Sequence, residues 1–298
     1  MCLSLLVLCL CSLIPIDAVF ARQLDRHTVQ NERGEEVVFY INRVSAGVAA
    51  RDLTFWVQGS SAQSVLGKQG MCENVLPQHD IVYVEKYRVD DLEEFYKHDC
   101  RQRRIADISL VLKHLLRQKK RRDVFLIGTS EGGAIVPEIA YHHHKEVTRL
   151  LIMGSGGMSQ ADELRILAKR GSLASSGISS LSELESAFKN IVEDSSSNQR
   201  WFGHTHKRWF SYLWYSPAKF IARLRCPTLV VMGDADENAP FESAQSLLRL
   251  AQSRHWLWVH IAPGLDHSFK DKDGKLQLQQ LAIKVIIPWV MKTTPPSK

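Results

Sequence analysis

The chain has 298 residues, a formal net charge of +6 and 45% hydrophobic residues. This length suits one large α/β domain or two small ones, and the apolar content excludes disorder over most of the chain. The densest basic patch, residues 119–122, ends a predicted helix, where the helix dipole favours cations. No nucleic-acid-binding motif accompanies this patch, so nucleic acid is not an expected partner.

The first element is an uncharged apolar run at residues 3–16, followed by the small residues of Ala18-Val19-Phe20-Ala21. This pattern predicts a secretory signal peptide over residues 1–21, cleaved after Ala21, and a mature domain over 22–298. No Lys or Arg precedes the run, which leaves a membrane anchor open, although the run is short for a spanning helix. We therefore expect export to the periplasm or the medium, with no stable membrane span in the mature form. Without cleavage, the chain would be cytoplasmic or membrane-anchored.

Strands and helices alternate through the first half of the mature chain. Residues 104–118 show helical periodicity, with Ile105, Ile108, Leu112 and Leu115 at three- and four-residue steps. Short apolar or β-rich runs predict strands, and these lie at 37–42, 53–57, 80–85, 124–127 and 150–153. A second helix is predicted over 133–142, directly after a glycine-rich turn.

The pattern changes at about residues 159–219, where Ser, charged and aromatic residues dominate and no convincing strand is found. Strands then resume at 228–232 and 256–261, with helices predicted over 241–253 and 282–291. Such alternation predicts an α/β fold with a mostly parallel central sheet covered by helices on both faces. The 159–219 segment is expected to be a helical insertion between two such units.

Three cysteines remain after removal of the leader: Cys72, Cys100 and Cys226. An odd number allows at most one internal disulfide. Cys72 and Cys100 follow successive predicted strands in loop-like segments, whereas Cys226 begins an apolar strand and is expected to be a buried thiol. A Cys72–Cys100 disulfide is therefore a hypothesis that depends on export.

The motif Gly128-Thr129-Ser130-Glu131-Gly132 lies between a predicted strand and a predicted helix. Flanking glycines allow the sharp strand-to-helix turn that exposes a nucleophilic serine. A serine hydroxyl also needs a base to accept its proton and an acid to orient that base. The loops after the last two strands offer Asp234 or Asp236 as the acid and His267 as the base. These loops lie where a parallel sheet places its catalytic groups.

Residues 37–291 resemble the α/β-hydrolase superfamily through three pieces, GTSEGG, GDADENAP and GLDHSF. The resemblance implies a serine hydrolase fold with Ser130 as nucleophile and His267 as base. It favours Asp236 over Asp234 as the acid, because Gly233 and Pro240 have the family spacing around Asp236. The losing aspartate would cap a turn.

The resemblance also implies two backbone N–H donors for the oxyanion. One is the N–H of Glu131, whose side chain is expected to face solvent or the pocket. The other follows the early strand, where relatives carry a His-Gly pair and this chain has Gln58-Gly59-Ser60. We assign this donor to Ser60, with Ser61 as the alternative.

The predicted reaction is cleavage of a carboxylic ester through an acyl-enzyme, with no metal ion and no organic cofactor. A peptidase, a thioesterase or an acyltransferase would use the same three groups, and so the substrate is a small-molecule, acyl or peptidyl compound. A non-catalytic binding protein of this fold would typically have lost one of them. The sequence does not indicate an oligomeric state.

The insertion would form a cap over the site in this superfamily. Its tryptophans, Trp201, Trp209 and Trp214, are expected to pack the cap, although they could line a substrate pocket. His204 and His206 could contact substrate but are expected at the surface.

Overall fold

The computed structural model describes residues 24–43, 52–66, 76, 79–118 and 123–293. The predicted signal peptide lies outside these ranges, and so does Cys72. Cleavage after Ala21 and the Cys72–Cys100 disulfide therefore stay predictions. Cys226 precedes a strand, as expected, but its side chain is half-buried rather than buried.

Ten strands and ten helices are defined by backbone hydrogen bonding among the described residues. The strands are β1 (Leu24–Gln30), β2 (Glu36–Asn42), β3 (Asp52–Val57), β4 (His79–Val84), β5 (Val124–Thr129), β6 (Val147–Met153), β7 (Arg200–Trp201), β8 (His204–Thr205), β9 (Thr228–Gly233) and β10 (Leu257–Ala262). The helices are α1 (Leu92–His98), α2 (Arg101–Gln118), α3 (Glu131–His142), α4 (Gln160–Lys169), α5 (Leu181–Glu193), α6 (His206–Tyr212), α7 (Ala218–Ile221), α8 (Glu242–Gln252), α9 (Leu278–Leu281) and α10 (Ile287–Thr293), the last two joined by a π-helical turn over Ala282–Ile286.

Eight strands form one sheet in the order β1-β2-β4-β3-β5-β6-β9-β10. Strands β1 and β2 pair antiparallel, β2 pairs antiparallel with β4, and every other pair is parallel. The prediction of a mostly parallel sheet is confirmed. Because β3, β5, β6 and β9 are neighbours and parallel, their carboxyl ends lie at one edge, where side chains from separate loops can meet.

Both faces of the sheet are covered, as the apolar strand runs predict. Successive strand residues point to opposite faces, so Leu126 packs in one hydrophobic cluster while Phe125 and Ile127 pack in the other. Helices α2, α3 and α8 cover the first face, and Trp289 of α10 packs on the second. This two-sided burial holds the central strands, and therefore the loops at their ends, in a rigid position.

Strand β1 and helix α1 were not predicted from the sequence. The residues of β1, LDRHTVQ, alternate between exposed and half-buried because the strand lies at the sheet edge, and so they form no apolar run. Helix α1 buries only Phe95. Its start does carry a sequence signal, since the Asp91 side chain accepts a hydrogen bond from the N–H of Glu94 in a typical N-cap.

The segment between β6 and β9 contains α4, α5, α6, α7 and the two-residue strands β7 and β8. It has a hydrophobic cluster of its own, in which Leu164, Leu184, Phe188 and Trp209 are buried. Trp201 stacks on Phe202 and meets Trp209 edge-on at 4.9 Å between ring centroids. Large aromatic side chains therefore hold this small helical segment together, whereas Trp214 is 44% exposed.

Within the described residues, no helix has the length and apolar content needed to cross a membrane.

Candidate active site

Ser130 occupies a strained turn between β5 and α3. Its φ of 54° and ψ of −124° lie in a region that residues with a side chain rarely adopt. The turn is held by the N–H of Ser130, which donates to the carbonyl of Met153 on β6 at 2.8 Å. Helix α3 begins at once with Glu131, two residues before its predicted start, so the serine lies between a strand end and a helix N-terminus.

Glycines let neighbouring backbones approach this turn. A Cβ on Gly132 would lie 2.0 Å from the carbonyl oxygen of Val57, at the end of β3. A Cβ on Gly128 would lie 2.4 Å from the carbonyl oxygen of Gly132. Real Cβ atoms do not approach oxygen that closely, and therefore both flanking glycines of the motif are needed for packing.

The structure brings Ser130, His267 and Asp236 into one chain of contacts. His267 Nε2 lies 3.0 Å from Ser130 Oγ, and His267 Nδ1 lies 2.7 Å from Asp236 Oδ2. The other oxygen of Asp236 accepts the N–H groups of Asn238 and Ala239 at 2.8 and 2.9 Å. Asp234, the alternative acid, accepts the N–H of Gly264 at 2.6 Å and so caps the neighbouring loop.

The surroundings of His267 adjust its basicity. Burial of the ring disfavours its charged form, but the hydrogen bond and the negative charge of Asp236 outweigh burial and raise the pKa of His267 above its ordinary value. An imidazole whose charged form is stabilised in this way can accept a proton from a neighbouring hydroxyl.

The loop after β3 also lies against Ser130. A Cβ on Gly59 would lie 3.0 Å from Ser130 Cβ, which explains why the second residue of Gln58-Gly59-Ser60 is glycine. Ser60 and Glu131 both line the cavity in front of Ser130. The carbonyl of Ser61 instead accepts a hydrogen bond from Lys86 Nζ at 2.8 Å.

The side chain of Glu131, expected to face solvent or the pocket, is only 4% exposed. Its carboxylate is buried and forms ion pairs with Arg104 of α2 and Arg208 of α6. Burial opposes ionisation, but the two guanidinium groups, Arg208 most strongly, hold the pKa of Glu131 well below its usual range. The sequence did not indicate either arginine. Arg104 is 27 residues and Arg208 is 77 residues from Glu131, and no local pattern links them to it.

A cavity of about 580 Å³ opens in front of Ser130 and His267. Its wall opposite the sheet comes from the insertion and includes Leu164, Trp209 and Tyr215. Thus the residues between β6 and β9 form one wall of the cavity that Ser130 lines. A cavity of this size accommodates a small-molecule ligand.

Glu163 of α4 is a second acidic group of this cavity that the sequence did not reveal. It accepts a hydrogen bond from Ser243 Oγ at 2.5 Å. Burial, with a smaller contribution from the charge of Asp236, raises the pKa of Glu163 to about 7. In the sequence, Glu163 is a charged residue of an amphipathic helix, and such residues ordinarily lie on the solvated face. The sequence therefore did not indicate that Glu163 lines the cavity.

The two histidines of the insertion, both expected at the surface, differ in exposure: His206 is buried and His204 is half-buried. His204 lines the cavity, where burial and the nearby Arg208 lower its pKa to about 3. His206 is 4% exposed and lies 3.8 Å from Asp194. The short β7–β8 hairpin packs against α6, where Trp209 Nε1 donates to the carbonyl of Trp201 at 2.6 Å, and sequence patterns do not reveal this contact.

A family model described as "Serine aminopeptidase, S33" matches residues 94–271 of this chain. These residues include Ser130, Asp236 and His267 and the whole insertion. They also include six strands, namely β5, β6, β9 and β10 of the large sheet and β7 and β8 of the insertion. No curated protein sequence matches significantly.

Solved structures share the fold at low sequence identity. A thermostable carboxyl esterase from Bacillus coagulans superposes with a TM-score of 0.65 at 16% identity, covering 91% of this chain and 98% of that one. Est1E from Butyrivibrio proteoclasticus gives 0.61 at 13% identity, covering 90% and 98%. The acylaminoacyl peptidase of Pyrococcus horikoshii gives 0.58 at 13% identity, covering 93% of this chain and 43% of that one. These likenesses concern the fold.

Proposed function

The chain belongs to the serine aminopeptidase (S33) family of α/β-hydrolases, and from this premise we propose that it cleaves carboxylic esters through Ser130, His267 and Asp236. The observation that carries the proposal is the continuous contact from Asp236 through His267 to Ser130 Oγ, which opens on the 580 Å³ cavity. Similarity to structures named as esterases supports an ester as the substrate.

In the proposed reaction, His267 Nε2 accepts the proton of Ser130 Oγ as the hydroxyl attacks the ester carbonyl. Asp236 accepts the hydrogen bond from His267 Nδ1, which fixes the tautomer and stabilises the imidazolium that forms. The imidazolium then protonates the departing alcohol, leaving an acyl group on Ser130. Water, activated by the same imidazole, releases the acid and restores the serine.

The developing oxyanion would be held by the backbone N–H groups of Ser60 and Glu131. Glu131 begins α3, whose first N–H groups have no partner inside the helix and carry the positive end of its dipole. Ser60 lies in the loop that Gly59 brings against Ser130. We favour Ser60 over Ser61 because Ser60 lines the cavity.

The insertion between β6 and β9 would act as a cap that selects the substrate, since it supplies one wall of the cavity. Apolar residues of this wall, such as Leu164, Leu167 and Leu173, suit an acyl chain. Export of the mature domain is part of the same proposal and depends on residues 1–21.

A second candidate, removal of an N-terminal residue from a peptide, is favoured by one observation. Glu163 places a carboxylate within the cavity of Ser130 and His267, where it could bind the ammonium group of an amino-terminal substrate. The family name points to the same activity. The two candidates differ in the substrate's charge and in the bond that breaks.

The test is turnover of p-nitrophenyl esters of graded acyl length beside aminoacyl arylamides with free and acetylated amines. We expect ester hydrolysis, and we expect Ser130→Ala to lose it by a factor of about 10³ or more, because the nucleophile is gone. Ser155→Ala is the matched control: Ser155 is a second serine that lines the same cavity, and its loss should leave the rate within about threefold.

A fluorophosphonate probe should label the wild-type protein and the Ser155→Ala variant but not Ser130→Ala. Hydrolysis restricted to arylamides with a free amine would establish the second candidate instead. Retention of most ester turnover in Ser130→Ala would contradict both candidates.

A further inference from the structure

Arg104 lies in the interior of the protein, on the face of α2 that packs toward the sheet. Its side chain is 7% exposed. One guanidinium nitrogen, Nη2, donates to the carbonyl of Gln58 at 2.8 Å, and the other, Nη1, pairs with the Glu131 carboxylate. The contacts join α2 to the loop after β3 and to the first residue of α3, which lie 46 and 27 residues away along the chain.

The two acceptors of Arg104 belong to the two backbone segments on either side of Ser130. Gln58 lies two residues before Ser60, and Glu131 directly follows the serine. The proposed oxyanion donors, the N–H groups of Ser60 and Glu131, are therefore each attached to a segment that Arg104 holds. A guanidinium group can span them because it is planar and presents two nitrogens at a fixed separation.

We propose that Arg104 is a positioning residue for the reaction at Ser130, which ties the loop of Gln58–Ser60 to the start of α3 and so keeps both backbone donors of the oxyanion hole in place. Arg104 does not contact the serine hydroxyl and does not itself line the cavity in front of it. It acts through the backbone that carries the donors. This inference rests on the proposed function, because it concerns the same reaction.

The charge of Arg104 is maintained in the interior by its partner. Burial disfavours the guanidinium charge, but the Glu131 carboxylate outweighs burial and raises the pKa of Arg104. Glu131 in turn has a second cation, Arg208 of α6. If Arg104 is removed, the buried Glu131 carboxylate still pairs with Arg208, so its negative charge remains compensated.

The experiment measures kcat and KM of Arg104→Met and Arg104→Lys on an activated ester, with rates expressed per Ser130 labelled by fluorophosphonate. Backbone donors act on the oxyanion in the transition state, and a displaced donor costs less than a deleted one. We expect kcat of Arg104→Met to fall about 10- to 100-fold while KM changes less than about threefold. Lysine, with one nitrogen in place of two, should restore part of the loss.

Arg103→Met is the matched control, since Arg103 is the preceding residue of α2 and its side chain is 11% exposed. Its partners, Asp107 and Glu35, are each 2.8 Å away and lie outside the cavity of Ser130. A merely structural ion pair would lower the melting temperature in both Arg103→Met and Arg104→Met and would leave kcat per labelled serine unchanged in both.

An unchanged kcat per labelled serine in Arg104→Met would overturn this inference, and so would equal losses in the Arg103 and Arg104 variants. If Arg104→Met does not fold, Arg104→Lys decides in the same way, because it retains the positive charge. Absence of Ser130-dependent turnover in the wild-type protein would instead contradict the proposed function, and the inference with it.

Discussion

Single residues with the same side chain have different surroundings at this site, as the two aspartates after β9 show. Asp236 is buried, and its two oxygens are used by His267 on one side and by two backbone N–H groups on the other. Asp234 is exposed and caps the loop at Gly264. Only the first aspartate can orient an imidazole.

Asp236→Asn should therefore lower kcat by a factor approaching 10⁴, the effect seen when the acid of such a triad becomes an amide. An amide N–H can donate to His267 Nδ1, which favours the tautomer whose Nε2 carries the proton and cannot accept another. Asp234→Asn is the control, and its kcat should stay within about threefold. Steady-state kinetics on an activated ester checks both, and equal rates in the two variants would remove Asp236 from the mechanism.

At the scale of elements, the active site depends on the close packing of the ends of β3 and β5 with the first turn of α3. Periodicity predicts the strands and helices well, and the predicted strand 124–127 and helix 133–142 lie within the observed β5 and α3. The helix starts earlier than predicted because the positive φ of Ser130 reverses the chain within a single residue. Packing between elements, which decides how close the backbones come, is not visible in periodicity.

Gly132→Ala tests this packing. The added methyl group would lie 2.0 Å from the carbonyl oxygen of Val57, and backbone must move to relieve the clash. We expect a loss of about 1–3 kcal/mol in the free energy of unfolding together with a large loss of activity. Thermal and denaturant unfolding beside ester kinetics provide the measurement.

Gly59→Ala provides the comparison, because the atoms nearest to its methyl group would be those of the Ser130 side chain at 3.0 Å and the Thr129 carbonyl oxygen at 3.5 Å. We expect this variant to keep most of its stability while losing activity. A Gly132→Ala protein as stable and as active as the wild type would show that the close approach of α3 to β3 is not required.

For the whole molecule, Glu163 in the cavity wall makes the free energy of unfolding depend on pH. Glu163 is half-buried in the cavity wall and accepts a hydrogen bond from Ser243 Oγ, and its pKa is about 7 in the folded state against an ordinary 4.5. The folded protein therefore binds the proton more tightly than the unfolded chain. The resulting stability is fully present below pH 4.5 and is lost as the pH rises through 7. Functional sites commonly carry such a cost.

Glu163→Gln should remove this pH dependence, because glutamine has nearly the same shape and stays neutral. At pH 8 we expect the variant to be more stable than the wild type by up to about 3 kcal/mol, from about 1.4 kcal/mol for each unit of pKa shift. At pH 5 the two should unfold at nearly the same temperature. Melting curves across pH 5–8 test this difference.

Glu93→Gln serves as the control, since the Glu93 side chain is 80% exposed. The melting temperature of this variant should follow that of the wild type at each pH. A Glu163→Gln variant that is less stable than the wild type at pH 8 would contradict the prediction. It would mean that the folded protein stabilises the ionised carboxylate of Glu163.

The sequence by itself determined the α/β class, most strands and helices of the sheet, and the residues Ser130, Asp236 and His267 as candidates. These follow from local information: apolar runs, helical periodicity, and short motifs placed after strands. Local patterns carry this information because secondary structure depends on neighbouring residues and because parallel strands present their carboxyl ends at one edge.

The tertiary structure alone decided that Glu131 is buried between Arg104 and Arg208, that Glu163 and His204 line the cavity, and that His206 is buried. Each of these depends on side chains brought together across 27 residues or more, or on a loop folding back onto a helix. A buried charge and a solvated charge look the same in sequence. Their difference arises only when the partner residue and the loss of water are both in place.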